Sequence, residues 1–165
     1  MLLAGASGLV GQAVLRQLLA RADGPRILAP VRRTLAASSP RLVTIVSGLE
    51  PDADAALAQR LQGEAAALDA YVCCLGSTIR KAGSREAFLA VDRDLVLRLA
   101  TIARSQGARQ AVLVSSVGAS AQSGNFYLRV KGETERALGD MGFDRVDLLR
   151  PGLLLGDRDE SRPGE

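Results

Sequence analysis

Histidine is absent from the 165 residues, and several common kinds of site are therefore excluded. Ser–His–Asp hydrolysis and Cys–His nucleophiles need an imidazole, and so do most zinc sites. Any proton transfer must instead use Tyr, Lys, Asp, Glu, Ser or water. We accordingly expect no metal centre in this protein.

Aromatic residues and cysteines are also scarce. Aromatics make up 3% of the chain, so the core must be built from Leu, Val, Ile and Ala. The only two cysteines, Cys73 and Cys74, are adjacent in an apolar run. Neighbouring residues of a strand point to opposite faces, so a disulfide between them would be strained. We expect two buried free thiols and a reducing, cytoplasmic setting.

Long apolar runs and clusters of basic residues are missing as well. No segment approaches the roughly 20 apolar residues that cross a bilayer, and the apolar start lacks a basic leader. We therefore expect neither a membrane span nor a signal peptide. The net charge is only +3 and the basic residues are scattered, so nucleic acid is not an expected partner.

Short apolar runs alternate along the chain with longer segments of helical periodicity. The predicted strands are Met1–Ala4, Ile27–Val31, Leu42–Val46, Ala70–Leu75, Ala111–Val114 and Val146–Leu149. The predicted helices are Gly8–Ala22, Asp52–Gln62, Arg85–Gln106 and Asn125–Met141. This alternation predicts an α/β fold, a doubly wound Rossmann-type three-layer sandwich with a mostly parallel sheet of six or more strands.

A glycine-rich turn, Gly5-Ala6-Ser7-Gly8-Leu9-Val10-Gly11, lies between the first strand and the first helix. Gly5 permits the tight turn, Gly8 lets the backbone approach a pyrophosphate, and Gly11 lets the helix pack close to the strand. The phosphates would bind at the helix N-terminus. The alternative is a turn with only a structural role, but the surrounding strand and helix are the context that a dinucleotide site requires.

The second strand ends in Pro30-Val31-Arg32-Arg33, where a protein that selects NAD usually places an acid for the ribose hydroxyls. No acid is present, whereas Arg32 and Arg33 offer guanidinium groups that bind phosphate oxygens bidentately. We therefore expect NADP(H) to be preferred over NAD(H). The alternative is that both arginines only solvate the strand end.

Tyr127 and Lys131 are four residues apart on a predicted helix, so both project from one face. This helix follows the strand that ends at Ser115 and Ser116. An ammonium group favours the phenolate of a nearby tyrosine, which can then exchange a proton with a substrate alcohol or carbonyl. A Ser hydroxyl can hold the substrate oxygen, and Lys131 can also bind the nicotinamide ribose. The alternative is a half-buried Tyr beside an exposed Lys.

Several motifs together resemble the atypical short-chain dehydrogenases/reductases, in particular the oxidoreductase branch related to the human Tat-interacting tumour suppressor. These motifs are the glycine-rich turn, Val72–Thr78, Val91-Asp92-Arg93-Asp94, Ser115-Ser116, Tyr127 to Glu133 and Arg150-Pro151-Gly152. The resemblance covers nearly the whole chain. Related extended reductases often carry Asn where Asp92 stands, so the resemblance does not carry over a complete Asn–Ser–Tyr–Lys relay.

The resemblance implies an NADPH-binding Rossmann domain. It implies pyrophosphate contacts from Gly5, Ser7, Gly8, Leu9 and Val10, and a 2′-phosphate contact from Arg32. It further implies that Leu75, Gly76 and Ser77 lie beside the adenosine and ribose, and that Pro151 and Gly152 border the nicotinamide. Ser116 matches the register of sugar-nucleotide epimerases better, while Ser115 remains an alternative.

These observations favour an NADP(H)-dependent oxidoreductase that acts on a small carbonyl, quinone or alcohol. An epimerase of nucleotide sugars and a non-catalytic NADPH sensor or scaffold are the alternatives. We assign residues 1–156 to the dinucleotide-binding domain and residues 157–165 to a loop or the start of a C-terminal substrate-binding segment. By analogy with related dehydrogenases, the Arg85–Gln106 and Asn125–Met141 helices could pair across a two-fold axis in a homodimer. The Arg- and Ala-rich composition favours a bacterial source.

Overall fold

Six parallel strands form a single sheet in the computed structural model, which describes residues 1–65, 67–152 and 154. They are β1 (Leu2–Ala4), β2 (Ile27–Val31), β3 (Leu42–Val46), β4 (Ala70–Cys73), β5 (Gln110–Val114) and β6 (Arg145–Leu149). Their spatial order is β3-β2-β1-β4-β5-β6, so the chain reverses direction across the sheet between β1 and β4. The predicted doubly wound α/β fold is confirmed. The expected tail, residues 157–165, lies outside the described residues, as do residues 155 and 156 of the assigned domain.

Helices cover both faces of this sheet. They are α1 (Leu9–Ala20), α2 (Asp54–Glu64), α3 (Ile79–Ala82), α4 (Arg85–Leu89), α5 (Val96–Ser105) and α6 (Phe126–Gly139), with a 3₁₀ turn at Pro51–Ala53. The α1 helix packs on one face through Leu15, whereas α2, α5 and α6 pack on the other. Within the described part of the chain, no helix combines the length and the apolar character needed to cross a membrane.

Burial on both faces explains why β1 and β2 are continuously apolar. Every residue of β2 is buried. Adjacent Cys73 and Cys74 belong to the apolar clusters on opposite faces of the sheet. Both are free thiols, as the sequence predicts, although Cys74 is only partly buried.

The predicted helix Arg85–Gln106 has the right extent, but it is not a uniform α-helix. Between α4 and α5 the chain forms a π-helical segment, Ala90–Leu95. The short α3 helix before it was not predicted. The helix also starts as expected, because the Ser84 side chain caps it by accepting a hydrogen bond from the Ala87 N–H at 3.1 Å. Single π turns inside α-helices frequently occur at functional sites.

The parallel arrangement brings the carboxyl ends of the strands to one edge of the sheet. Gly5 follows β1, Arg32 follows β2, Cys74 follows β4, and Ser115 follows β5. In open α/β sheets, ligands bind at this edge, where the strand order reverses. These four positions therefore lie at the edge of the sheet where ligands bind in folds of this type.

Candidate functional site

The turn after β1 is so tightly packed that two of its positions admit only glycine. Gly5 has a φ of +76°, and a Cβ there would lie 2.6 Å from the carbonyl carbon of Cys74. A Cβ on Gly11 would lie 2.0 Å from the Gly5 oxygen. The roles predicted for these two glycines, a tight turn and close helix packing, agree with this geometry.

Gly8 is different, because its missing Cβ leaves open space. A Cβ there would contact only the Gly5 oxygen, at 3.4 Å, and both Gly8 and Ser7 are exposed. Gly8 is the N-cap of α1, and as a glycine it has no side chain with which to cap the helix. The first-turn N–H groups, including those of Leu9 and Val10, therefore face an open cradle at the positive end of the helix dipole. This cradle fits a dinucleotide diphosphate.

Arg32 and Arg33 lie just beyond β2, the neighbour of β1 on the side away from β4. Both side chains are exposed. They occupy the strand end that carries the ribose-selecting acid in NAD-binding Rossmann proteins. The structure thus places two cations at that strand end, where the local sequence carries no acid.

The segment after β4 connects the glycine turn to the rest of the site. The Cys74 N–H donates to the Ala4 oxygen at 2.9 Å, which extends the pairing of β1 with β4 up to the turn. The Ser77 N–H donates to Oδ2 of Asp92 at 2.9 Å. Gly76 lies between them, where a Cβ would be 3.7 Å from Nζ of Lys131. Leu75, Gly76 and Ser77 therefore connect the cradle to α6.

Lys131 forms an ion pair with Asp92 at the base of this site. Its Nζ is 2.7 Å from Oδ1 of Asp92, and the two side chains are 5% and 0% exposed. A buried charge persists only when it is paired and hydrogen-bonded. The alternative of an exposed Lys is therefore wrong. Lys131 is held inside the protein, beside the segment that leads from the glycine turn.

The π-helical segment positions Asp92, and α6 supports it. Because a π turn displaces backbone carbonyls from their usual helical partners, they need other donors. The Thr134 hydroxyl lies 3.2 Å from the backbone carbonyl oxygen of Asp92 and 2.8 Å from that of Val130. Asp92 is thus fixed through both its backbone and its carboxylate.

Tyr127 lies one turn before Lys131 on the same side of α6. Nζ of Lys131 is 6.0 Å from the centroid of the Tyr127 ring, which confirms the predicted common face. The ring packs on buried Phe88 of α4 with centroids 5.6 Å apart. Asn125 caps the helix by accepting a hydrogen bond from the Leu128 N–H at 3.2 Å. Capping and ring packing together fix the start of α6.

Two candidate serines follow β5, and the structure distinguishes their surroundings. Ser115 is 6% exposed, and its hydroxyl has no hydrogen-bond partner among the described residues. The Ser116 hydroxyl lies 3.3 Å from the Val117 oxygen and is more accessible. A buried hydroxyl without a partner is costly, and a substrate oxygen would satisfy it.

The residues after β6 come close to these serines. The Ser115 N–H donates to the Leu149 oxygen at 2.7 Å, and the Val117 N–H donates to the Pro151 oxygen at 3.0 Å. Arg150 is bound to the buried carboxylate of Glu135 on α6, with Nε to Oε1 at 3.0 Å. This bidentate pair raises the pKa of Arg150 and fixes the start of the Pro151-Gly152 segment.

The two thiols beside the site, Cys73 and Cys74, both have raised pKa values. Burial raises the pKa of Cys73, while Lys131 acts in the opposite direction and Asp92 adds to the increase. Burial also raises the pKa of Cys74, to about 12. Because the reactive species is the thiolate, this burial weakens both cysteines as nucleophiles.

Sequence reasoning missed two functional contacts, the side-chain role of Asp92 and the Glu135–Arg150 pair. A signal for Asp92 was present, because it shares the apolar stripe of its helix with Leu95, Val96 and Leu99. An acid on such a stripe must have a buried partner. Nothing in the local sequence indicates which cation that partner is, because Lys131 is 39 residues away.

A glycine turn at the β1–α1 junction of a sheet with this strand order defines a dinucleotide-binding Rossmann protein. A family model described as NAD(P)H-binding matches residues 5–163, and the chain belongs to that family. The chain is also similar to HTATIP2 and to the fungal fmp52 proteins.

Two relatives illustrate this kinship. Protein HTATIP2 of Rattus norvegicus is 50% identical over 97 residues, a match that covers 59% of this chain and 40% of that protein. The mitochondrial protein fmp52 of Emericella nidulans is 40% identical over 167 residues, covering 99% of this chain and 70% of that protein. The chain thus spans less than half of the rat protein in that match.

Solved structures agree on the fold. A short-chain dehydrogenase from Leptospira borgpetersenii with bound NAD⁺ superposes with a TM-score of 0.74 at 13% identity, covering 96% of this chain and 72% of that one. MoeE5 in complex with UDP-glucose and NAD gives a TM-score of 0.68 at 20% identity, covering 90% and 52%. At these identities the likeness concerns the Rossmann fold alone.

Proposed function

We propose that the protein is an NADP(H)-dependent oxidoreductase of the short-chain dehydrogenase/reductase type, which transfers a hydride to or from a small carbonyl, quinone or alcohol. One observation carries the proposal. The open cradle at Gly8 and the Tyr127–Lys131 face of α6 lie at the same sheet edge, joined through Gly76. A purely structural glycine turn would not need a buried lysine beside it.

Each group has a distinct part in this chemistry. The amides of the α1 first turn would hold the diphosphate, Lys131 the nicotinamide ribose, and Pro151 and Gly152 would border the nicotinamide. The bound cofactor supplies or accepts the hydride. Tyr127 gives its proton to the carbonyl oxygen in reduction and takes it back from the alcohol in oxidation.

The hydroxyl of Ser115 or Ser116 would hold the substrate oxygen while the proton moves. Ser115 is favoured, because its buried hydroxyl has no hydrogen-bond partner in the described part of the chain. A substrate oxygen would satisfy that hydroxyl, whereas Ser116 already lies within 3.3 Å of the Val117 oxygen.

The cofactor preference rests on the charge at the end of β2. Arg32 and Arg33 would bind the 2′-phosphate of NADP(H), and no acid at that strand end would accept the 2′-hydroxyl of NAD(H). A charge-assisted contact of this kind contributes about 1.5–3 kcal/mol, which corresponds to roughly 10- to 100-fold in affinity.

Replacing Tyr127 by Phe tests the acid–base role. NADPH affinity should change little, while the rate of NADPH oxidation with a carbonyl and quinone panel should fall about 100-fold or more. Tyr71→Phe is the matched control, because it removes a hydroxyl that donates to the Val96 oxygen in the core, away from the cradle. Retained turnover in Tyr127→Phe would contradict the acid–base role, and binding without turnover in the wild type would indicate a cofactor sensor.

Replacing Arg32 by Ala tests the cofactor preference separately. NADPH should bind about tenfold or more weakly by isothermal titration calorimetry, whereas NADH binding should change little. Arg16→Ala removes an exposed arginine from α1, away from the cradle, and should affect neither cofactor. Equal weakening of both cofactors by Arg32→Ala would remove the NADP assignment.

A further inference from the structure

The Asp92–Lys131 pair has a consequence for Tyr127 that a lone lysine would not have. An uncompensated ammonium close to a phenol stabilises the phenolate through its field. Here a carboxylate oxygen lies 2.7 Å from Nζ of Lys131, so the phenol faces a buried ion pair with no net charge. The field of such a pair falls off much faster with distance than that of a single charge.

We propose that Asp92 is a positioning residue that fixes the Lys131 ammonium and balances its charge, which weakens the field of that ammonium at the Tyr127 phenol. The charge balance follows from the geometry and does not depend on turnover. Its catalytic meaning rests on the proposed function. A protonated phenol is the acid that carbonyl reduction needs, whereas an uncompensated Lys131 would favour the base that alcohol oxidation needs.

The arrangement around Asp92 supports a positioning role. Its two carboxylate oxygens are used separately, Oδ1 by Lys131 and Oδ2 by the Ser77 N–H at 2.9 Å. The Thr134 hydroxyl reaches its backbone oxygen from α6, the same helix that carries Lys131. Asp92 therefore connects three parts of the site, namely the segment after β4, the π-helical segment and α6.

Several other charged or titratable groups lie on the described elements around the pair. From β4 the Cys73 thiol is close, and burial raises its pKa, so it adds no charge near neutral pH. From α4 and α6, Arg85 and Arg129 stack on the Phe126 ring, at 5.0 and 5.7 Å from its centroid. One turn after Lys131 on the same face of α6, Glu135 is already paired with Arg150. Asp92 is thus the anion in contact with Lys131.

The composition of the chain makes the idea directly measurable. There are only two tyrosines and no tryptophan. Tyr71 is fully buried and donates to the Val96 oxygen, and burial raises its pKa well above 10. The tyrosinate absorbance of the folded protein is therefore assigned to Tyr127, the only other tyrosine of the chain. Tyr127→Phe, which should abolish this signal, verifies the assignment.

The test is a spectroscopic pH titration of the cofactor-free protein. In Asp92→Asn the midpoint of tyrosinate formation should fall by about one pH unit, because the Lys131 charge is no longer balanced. Asp94→Asn is the matched control. It removes a carboxylate from the same π-helical segment, but one that is paired with Arg93 at the surface, so its midpoint should match the wild type. An unchanged midpoint in Asp92→Asn overturns the proposal.

A second variant keeps the test decisive if Asp92→Asn does not fold. Asp92→Asn/Lys131→Met removes both charges, and such replacements of a buried pair are often tolerated. Its midpoint should stay close to the wild-type value. A rise of about one unit or more would mean that Lys131 acts on Tyr127 uncompensated, which also overturns the proposal.

Turnover distinguishes this inference from the proposed function. If the protein oxidises alcohols, the pH–rate profile of Asp92→Asn should move to lower pH by about the spectroscopic shift, while that of Asp94→Asn should not. A spectroscopic shift without any turnover would leave the charge balance standing and remove the oxidoreductase. If the pH–rate profile of Asp92→Asn did not move with the midpoint of tyrosinate formation, the proposed effect of Asp92 on catalysis would be refuted.

Discussion

Gly132 is the point where α6, which carries Tyr127 and Lys131, packs against the loop after β5. A Cβ on Gly132 would lie 2.2 Å from the carbonyl carbon of Ser120 and 2.3 Å from the Ala121 nitrogen. Non-bonded heavy atoms need about 3.5 Å, so helix and loop must separate by about 1 Å. Overpacking of this kind costs about 1–3 kcal/mol, and the obstacle here is backbone, which cannot rotate away.

Replacing Gly132 by Ala should therefore lower the stability by about 2 kcal/mol, despite a helix-propensity gain of up to about 1 kcal/mol. For a chain of this size the melting temperature should fall by about 4–8 °C. Thermal unfolding followed by far-UV circular dichroism measures this directly. Because α6 moves, the Tyr127–Lys131 face should be displaced too, and NADPH turnover should fall along with the stability.

Gly139→Ala is the control within the same helix, since a Cβ there would have nothing within 4 Å. It should leave the melting temperature unchanged or raise it slightly. Opposite signs at two glycines of one helix can come only from the packing around them. If Gly132→Ala were as stable as the wild type, or if both variants shifted alike, the packing argument would be refuted.

Two further predictions follow from buried groups near the site. Replacing Ser115 by Ala removes a hydroxyl that has no partner among the described residues, so the stability should stay unchanged or rise by about 0.5–1 kcal/mol. If Ser115 holds the substrate oxygen, the turnover of Ser115→Ala should nevertheless fall, and Ser116→Ala is the control. A Ser115→Ala protein that loses stability and keeps its activity would contradict this prediction. Because burial raises the pKa of Cys74 from 9.0 to about 12, its contribution to stability is present below about pH 9 and is lost as the pH rises towards 12. The free energy of unfolding, measured with urea from pH 8 upward, should therefore decline with pH, and the decline should be shallower in Cys74→Ala. An equal decline in both proteins would exclude the Cys74 thiol as its cause.

Much of the fold could be predicted because its determinants are local. The continuous apolar run of β2 and the glycines before α1 reflect backbone conformation and burial on both faces, which short segments encode. The common face of Tyr127 and Lys131 follows from helical periodicity alone. Predicted helix ends differ by one or two residues, as at Leu9–Ala20, because capping and fraying depend on neighbouring segments.

The π-helical segment at Ala90–Leu95 and the partner of Asp92 could not be predicted in the same way. A π turn differs from an α turn by one residue, and the hydroxyl of Thr134 that supports it comes from a helix 42 residues away. The hydroxyls of Ser115 and Ser116 are neighbours in the chain, yet only the packed structure buries one without a partner and places the other by the Val117 oxygen.

The sequence by itself determined the class of fold, the position of the glycine turn before α1 and the pairing of Tyr127 with Lys131 on one helix, because each depends on spacing within a few residues. Only the tertiary structure decided that Lys131 is buried and bound to Asp92. Burial and charge pairing are properties of surfaces brought together from distant segments, and they govern what an ionisable group does. The spacing of residues places Tyr127 and Lys131 side by side. The packing of distant segments adds the carboxylate of Asp92, which changes the net charge beside Tyr127.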